Sequence, residues 1–423
     1  MKRMIAAGLS ALLLCTMGAP ALAAEDTAGA AQTAEDGEAE ETGPVKLTFD
    51  TLEQTVRENN ITIQSYNNTI KSAEETDVDD QYKESLDNLE LQMWGYQSQI
   101  NQLQEAINDL GDAPETEALK GALQAQLSSL QSELSALQSS YDQTEDERDD
   151  AAADQPQVVE ETRREMQNAA DQICVNAEST YISLQSMQYS YNQTARSLAQ
   201  LDRNIAAVEK QVELGMAGEN TLKSLQSQRE TLLASEAALD TQVDTLCNTL
   251  ALQCGLSLGT EIEIEPVPAV TQEQLDAIDY DADLALALEN SYSLWASERA
   301  VDNASDDYAS GVTDNLYAFE AAKIQRDAER ENVTASFRAL YQAVEEAREA
   351  LDAAQANIDM ARRTFAAQEL QYRLGLISQM AYADAQDTLA TAEETAETAQ
   401  IDLITAYQAY AWAKRGVMSS AAA

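Results

Sequence analysis

The sequence has no histidine, six prolines, fifteen glycines and only 5% aromatics, and each shortage removes a class of protein. Without histidine the commonest general base and the commonest metal ligand are gone, so any chemistry falls to carboxylates, hydroxyls and cysteines. Basic side chains are also few, 26 against 74 acidic ones, which gives a formal charge of −48 and a pI of about 4.1. Such a chain repels nucleic acid and anionic lipid. With glycine, proline and aromatics this scarce, a thick globular core is not expected. No Asp-x-Asp-x-Asp-Gly calcium loop occurs, and the carboxylates read as solvated helix faces. Past the N-terminus no stretch reaches 18 consecutive apolar residues, so no helix that crosses a bilayer is expected in the mature chain. What remains is alanine, glutamine, leucine and glutamate, the composition of long helices with a narrow apolar seam.

The N-terminus has the pattern of an export signal. Lys2 and Arg3 precede an apolar run from Met4 to Met17, and Ala21-Leu22-Ala23 supplies a small-x-small cleavage site. Residues 24–45 lack apolar periodicity and are expected to be a disordered acidic leader. Prolines stand at 20, 44, 114, 156, 266 and 268, and each is expected to mark a boundary, leaving 157–265 and 269–423 free for long helices.

Those stretches carry heptads. Phe337, Leu340, Val344, Ala347, Leu351, Ala354, Ile358, Ala361 and Phe365 alternate spacings of three and four, a coiled-coil seam. A second seam runs through Ala177, Thr180, Leu184, Met187, Tyr191, Thr194, Leu198, Leu201, Ile205, Val208 and Val212, on a helix expected over 157–212. A shift of 160 residues superimposes the two, laying Tyr181 on Tyr341, Gln211 on Gln371 and Leu214-Gly215 on Leu374-Gly375. In both copies the helix ends at Leu-Gly and another follows, so each copy closes in a helical hairpin. The openers also echo each other: Leu47-Thr48 then Leu52, and Val270-Thr271 then Leu275, with Asp50/Glu53 and Thr271/Gln274 suited to capping boxes.

Between opener and hairpin the copies differ. The first holds Met93, Tyr96, Ile100, Leu103, Ile107 and Leu110, a Gly111-to-Pro114 turn, and then leucines from Leu119 to Leu137 and Tyr141, a helical hairpin of its own. The second holds a short polar link, expected from about Asn303 to Asn315. Alternation in Glu261-Ile262-Glu263-Ile264-Glu265 suits one short strand. Trp94, Trp295 and Trp412 are expected to be packing residues. Cys247 and Cys254 are too far apart along one helix to bond, whereas Cys174 lies near the level of Cys254 in the hairpin, which leaves a disulfide and small buried hydrophobes as the two readings.

The expected fold is all-α: long antiparallel coiled-coil helical hairpins in two internal repeats, elongated, with at most one or two short strands. The organisation is a signal peptide over 1–23, the leader over 24–45, a first repeat over 46–256 with its extra hairpin at about 85–142, a linker over 257–269, a second repeat over 270–417 and a tail over 418–423.

The duplicated plan resembles the TolC family of outer-membrane efflux proteins. The resemblance rests on Gln371-Tyr372-Arg373-Leu374-Gly375-Leu376-Ile377-Ser378 running into Ala385-Gln386-Asp387-Thr388-Leu389, and on Val212-Glu213-Leu214-Gly215 running into Leu225-Gln226. It covers 160–256 and 320–417, and the openers more faintly. It implies a homo-trimeric helical tunnel in the cell envelope, docked to a periplasmic or extracytoplasmic adaptor and an inner-membrane pump. The adaptor-contacting tips would be Leu214, Gly215, Met216 and Ala217 with Leu374, Gly375, Leu376 and Ile377. No enzyme activity and no cofactor are expected of a chain so poorly equipped for chemistry. One departure stands out: the family inserts a pair of barrel strands between opener and long helix in each repeat, and here those places hold a coiled coil and a polar link. Without strands the chain cannot close a barrel, so an extracytoplasmic scaffold or spacer without a pore is the alternative.

Overall fold

Among the residues described in the computed structural model, 44–111, 114–309 and 313–418, two short strands accompany an elongated set of long helices. Strand β1 is Val45–Leu47; helices α1 (Phe49–Asn59), α2 (Ile61–Glu75), α3 (Val78–Asp109), α4 (Glu117–Glu213) and α5 (Glu219–Gln253) follow. Strand β2 (Ile262–Ile264), the one-turn α6 (Gln272–Asp276), α7 (Tyr280–Asn290), α8 (Tyr292–Ala309), α9 (Thr313–Arg373) and α10 (Gln379–Lys414) complete the order. The proposed signal peptide and nearly all of the leader lie outside the described residues.

Apolar seams zip the helices into antiparallel pairs: α3 with α4, α4 with α5, α8 with α9 and α9 with α10. Phe337, Val344 and Ala354 are buried along α9, and Ala177, Leu184, Leu198, Leu201 and Ile205 along α4, at the positions the heptads assign. Tyr191 departs from its seam and is exposed. Trp94 is exposed too, whereas Trp412 is buried and Trp295 half-buried.

Helix α4 corrects the reading of proline. At 97 residues it is about 145 Å long and runs straight through Pro156. The ring deprives the Ala152 carbonyl of its helical donor, but Ala151, Ala152 and Ala153 leave it room. Gln155 Nε2 donates to the Ala73 carbonyl at 2.8 Å, tying this turn to α2. Packing against α3 on one side of the proline and α5 on the other holds the two halves in one rod.

The polar link of the second copy is helical as well. Helix α8 continues to Ala309 and α9 begins at Thr313, with the Tyr308 and Phe319 rings stacked at 5.8 Å across the pair. Polar residues on a two-helix arm stay solvated while a few aromatics close it, so polarity alone did not mark a loop here.

The strand reading of Ile262–Ile264 holds, and its partner is β1, in parallel register with Val45 opposite Ile262 and Leu47 opposite Ile264. The Tyr181 hydroxyl, fully buried on α4, sits 2.9 Å from the Leu47 carbonyl and 2.7 Å from that of Glu265, clamping both strand ends.

The openers superimpose differently from the sequence reading. The counterpart of α1 is α7 and not the short α6. Phe49 packs on Tyr181 at 5.6 Å, and Tyr280, 231 residues on, packs on Tyr341 at 5.2 Å. Each opener breaks after an asparagine, and the next residue caps the following helix: Asn60 Oδ1 accepts from Thr62 and Ile63, and Ser291 Oγ accepts from Leu294. The capping box at Thr271 and Gln274 is present. That of Asp50 and Glu53 is not: Thr48 is the N-cap, and Glu53 pairs with Arg57 and Arg415 instead.

Candidate functional site

The two Leu-Gly turns are built alike down to their hydrogen bonds. Met216 N donates to the Gln211 carbonyl at 2.7 Å and Gly215 N to that of Val212 at 2.9 Å. At the second turn Leu376 N donates to Gln371 at 2.8 Å and Gly375 N to Tyr372 at 2.9 Å. This is the Schellman closure, and it needs a left-handed residue, which Gly215 and Gly375 supply with φ of 70° and 71°. Gly218 and Ser378 then open the return helices, Ser378 Oγ accepting from Ala381 N at 3.1 Å.

A chain reversal of this form turns its flanking apolar residues outward. Leu214 and Met216 are 73% and 76% exposed, and Leu374 and Leu376 are 64% and 70% exposed. Ala217 and Ile377 are half-buried beneath them. A clasp under the second tip was not foreseen: the Tyr372 and Tyr382 rings stack at 4.5 Å and Phe365 lies 5.7 Å from Tyr382. The 160-residue shift places Val212, Leu222 and Ile205 at the same points of the first copy, so one tip has an aromatic clasp and the other an aliphatic one.

Both tips lie at one end of the bundle. Helix α4 runs antiparallel to α10, with Glu178 opposite Trp412, Arg196 opposite Glu394 and Arg203 opposite Asp387. Each step along α4 is matched by an equal step back along α10, so at this register Leu214 comes level with Leu376 and Met216 with Leu374. At this register the two turns lie level at the same end of the α4–α10 pair, and Leu214, Met216, Leu374 and Leu376 are exposed there.

The buried ionisable groups lie elsewhere. Glu178 is some 54 Å along α4 from Leu214. Burial pushes its carboxyl above the usual range, while the Trp412 indole, donating at 2.8 Å, pulls it partly back. Burial likewise raises Asp283, but Lys414 and the Tyr410 hydroxyl at 2.6 Å outweigh it and hold the carboxyl below its ordinary value. Cys174, Cys247 and Cys254 are free thiols, and burial raises Cys174 and Cys254 to about 11 each, so both stay protonated at neutral pH. Glu178 and Asp283 bind α4 and α7 to α10. Among the described residues no group of three or more cysteine, aspartate or glutamate side chains is placed to hold a metal ion.

Neither a protein-family model nor a curated protein matches this sequence. Solved structures do match in shape. The outer membrane protein VceC of Vibrio cholerae aligns over 88% of this chain and 97% of its own, at 10% identity and a TM-score of 0.50. The CmeC outer membrane channel of Campylobacter jejuni aligns over 94% and 95% at 12% identity, and the open MtrE channel of Neisseria gonorrhoeae over 88% and 89% at 13%, with TM-scores of 0.42 and 0.40 that carry no weight of their own. The fold is that of the TolC-family outer-membrane channels. In this TolC-like chain β1 and β2 are the only strands among the described residues, and α3/α4 and α8/α9 are helical arms. No described helix is long and apolar enough to cross a membrane.

Proposed function

We propose that this chain is an exported coiled-coil scaffold of the cell envelope, without a pore of its own, that presents its two Leu-Gly tips to the helical hairpins of an extracytoplasmic adaptor serving a membrane pump. The observation that carries this reading is the pair of level, outward-facing apolar tips. Four large side chains, each more than three-fifths exposed, stand on rigid closures at the end of a −48 chain. Exposed apolar clusters of this kind mark contact surfaces. The helical arms in place of barrel strands support the absence of a pore.

The test is binding of the full mature chain to adaptors from the same genome. The double variant Leu214→Asp, Leu374→Asp is expected to lose roughly tenfold or more in affinity, as anchor residues at an interface do. Unchanged binding, or none by the wild-type chain, sinks the adaptor reading. A second reading, a trimeric duct, is favoured by the fold likeness along 97% of VceC. Conductance of the purified chain in a planar bilayer separates the two, and the scaffold reading expects none.

A further inference from the structure

The seam between α4 and α5 is open at one level. Leu184 is buried there and Met187 half-buried, but Tyr191, the next heptad position, is 39% exposed, and a cleft of about 620 Å³ lies between the two helices and β2. That volume is within the range of pockets that take ligands. The second copy is closed at the same level. Val344, Ala347 and Leu351, the counterparts of Leu184, Met187 and Tyr191 at the 160-residue shift, pack in one cluster with Leu403, Ala406 and Tyr407 of α10. A parted seam is therefore no requirement of the hairpin.

One wall of the cleft is backbone. All three residues of β2 line it and none of β1 does, so it follows the outer edge of the sheet. Val45 N donates to the Glu261 carbonyl and Glu265 N to that of Leu47, so Glu261, Glu263 and Glu265 turn their backbone groups to β1, and Ile262 and Ile264 turn theirs the other way. Among the described residues nothing bonds to the N–H and C=O groups of Ile262 and Ile264. An open edge of this kind is a template for one more strand. The other wall is acidic. The ionised groups that line the cleft are Asp240 and Asp244 of α5 and Glu263 of β2, all exposed. Glu236, one turn before Asp240, accepts a hydrogen bond from the Tyr191 hydroxyl and adds to the same sign. Lys46 of β1 pairs with Glu263 at 3.4 Å, which leaves Asp240 and Asp244 without a basic partner among the described residues.

We propose that this cleft takes an extended basic segment of a partner protein, which adds to β2 as a third strand, sets its apolar side chains on Leu184, Met187 and Val243, and brings its lysines or arginines to Asp240 and Asp244. Alternate residues of a strand face opposite ways, so a segment that alternates apolar and basic residues presents both kinds of side chain while its backbone stays on the edge. Charge decides against this chain as its own occupant. Residues 24–43, which precede β1, hold acidic residues and no lysine or arginine, and a second copy carries −48. The cleft lies some 40 Å along α4 from Leu214, so its occupation is independent of adaptor binding at the tips.

The test is binding of the full mature chain to a short synthetic peptide of alternating lysine and valine, read by fluorescence anisotropy. The same peptide with glutamate in place of lysine is expected not to bind. Asp240→Asn with Asp244→Asn is expected to weaken binding roughly tenfold, whereas Glu84→Gln with Asp87→Asn, an equal change of charge at exposed sites on α3, leaves it unchanged. Backbone methylation separates strand addition from adsorption to an acidic surface. Methyl groups on the lysine amides alone, or on the valine amides alone, block one side of the added strand each, so one of these peptides is expected to lose binding roughly tenfold or more and the other to keep it. Bound peptide is also expected to slow alkylation of Cys247, which lines the cleft, by N-ethylmaleimide. A wild-type chain that does not bind the lysine peptide, or binds the glutamate peptide as well, would overturn the proposal. So would equal binding of the two methylated peptides, equal loss in the two double variants, or alkylation of Cys247 unchanged by saturating peptide.

Discussion

The junctions where opener meets hairpin have one geometry in the two copies but different side chains, which separates what the fold requires from what merely serves it. In the first, Asn60 Nδ2 donates to the Gln253 carbonyl at 2.9 Å; in the second, Asn290 Nδ2 donates to the Lys414 carbonyl at 3.2 Å. Donor position and capping residue both change, yet a glycine stands at 255 and at 416. A Cβ added there would sit 2.2 Å from the Asn59 carbonyl oxygen at Gly255 and 2.1 Å from that of Asn290 at Gly416. Close backbone approach is therefore the fixed element, and the polar bonds around it are variable.

The sharpest break of that comparison is alanine at these glycines. Gly255→Ala and Gly416→Ala each combine a clash with backbone at positive φ, and about 3–4 kcal/mol of destabilisation is expected. At the tips, Gly215→Ala and Gly375→Ala meet nothing within 4 Å and keep only the left-handed strain, about 1 kcal/mol. Denaturant unfolding of the four variants measures the contrast. Equal losses at all four would show that φ alone, and not the approach of the opener, sets the glycines.

Asn60 and Ser291 sharpen the same comparison at lower energy. Asn60 is buried, caps two amides and also reaches Gln253, so Asn60→Ala removes three hydrogen bonds and should cost about 2 kcal/mol. Ser291 caps only Leu294, and Ser291→Ala should cost about 1 kcal/mol. If Ser291→Ala proves the more damaging, the second junction depends on its cap in a way the bond pattern does not give.

The copies also differ in how they respond to acid. Leu52, fully buried in the first opener, has Asp283 as its counterpart in the second, where Tyr410 and Lys414 satisfy it. Asp283 is held below its ordinary value of 3.8, so its stabilisation is present above that pH and is lost as pH falls through the lower folded value. Glu178 is raised, so the opposite sign applies: folding favours its protonated form, and this support is lost as pH rises through the folded value. Asp283→Asn should therefore flatten the acid limb of a melting profile by about 1 kcal/mol, and Glu178→Gln should raise stability at neutral pH. An acid limb unchanged by Asp283→Asn would place the acid sensitivity elsewhere.

Much of this fold was legible because helical seams repeat locally. The α9 and α4 heptads, the Leu-Gly closures and the 160-residue shift all lie in the sequence as fixed spacings, and so the eight tip residues could be named from it. What was illegible depends on contacts between distant segments. Pro156 inside α4 is stabilised by neighbouring helices that no local pattern reveals. Phe49 matches Tyr280 only through rings 132 and 61 residues further along the chain, so the opener was matched to α6 instead of α7. The polar arm α8/α9 has few apolar residues to betray it. Val45–Leu47 is too short to signal a strand without β2 beside it.

The smallest effect on stability is expected where function is proposed. Leu214 and Leu374 touch little within the chain, and the Schellman bonds beneath them are made by backbone, which an aspartate side chain leaves intact. An acid at a helix C-terminus opposes the helix dipole by a few tenths of a kcal/mol, and removal of an exposed apolar group offsets part of that. Leu214→Asp and Leu374→Asp should each shift unfolding by less than about 0.5 kcal/mol. A loss of partner binding in those variants would then report the surface and not the fold, and the two tips are expected to differ. Beneath Leu374 the aromatic clasp of Phe365, Tyr372 and Tyr382 holds the turn more firmly than the aliphatic residues at the matching points under Leu214, so amide exchange should be slower at Gly375 than at Gly215.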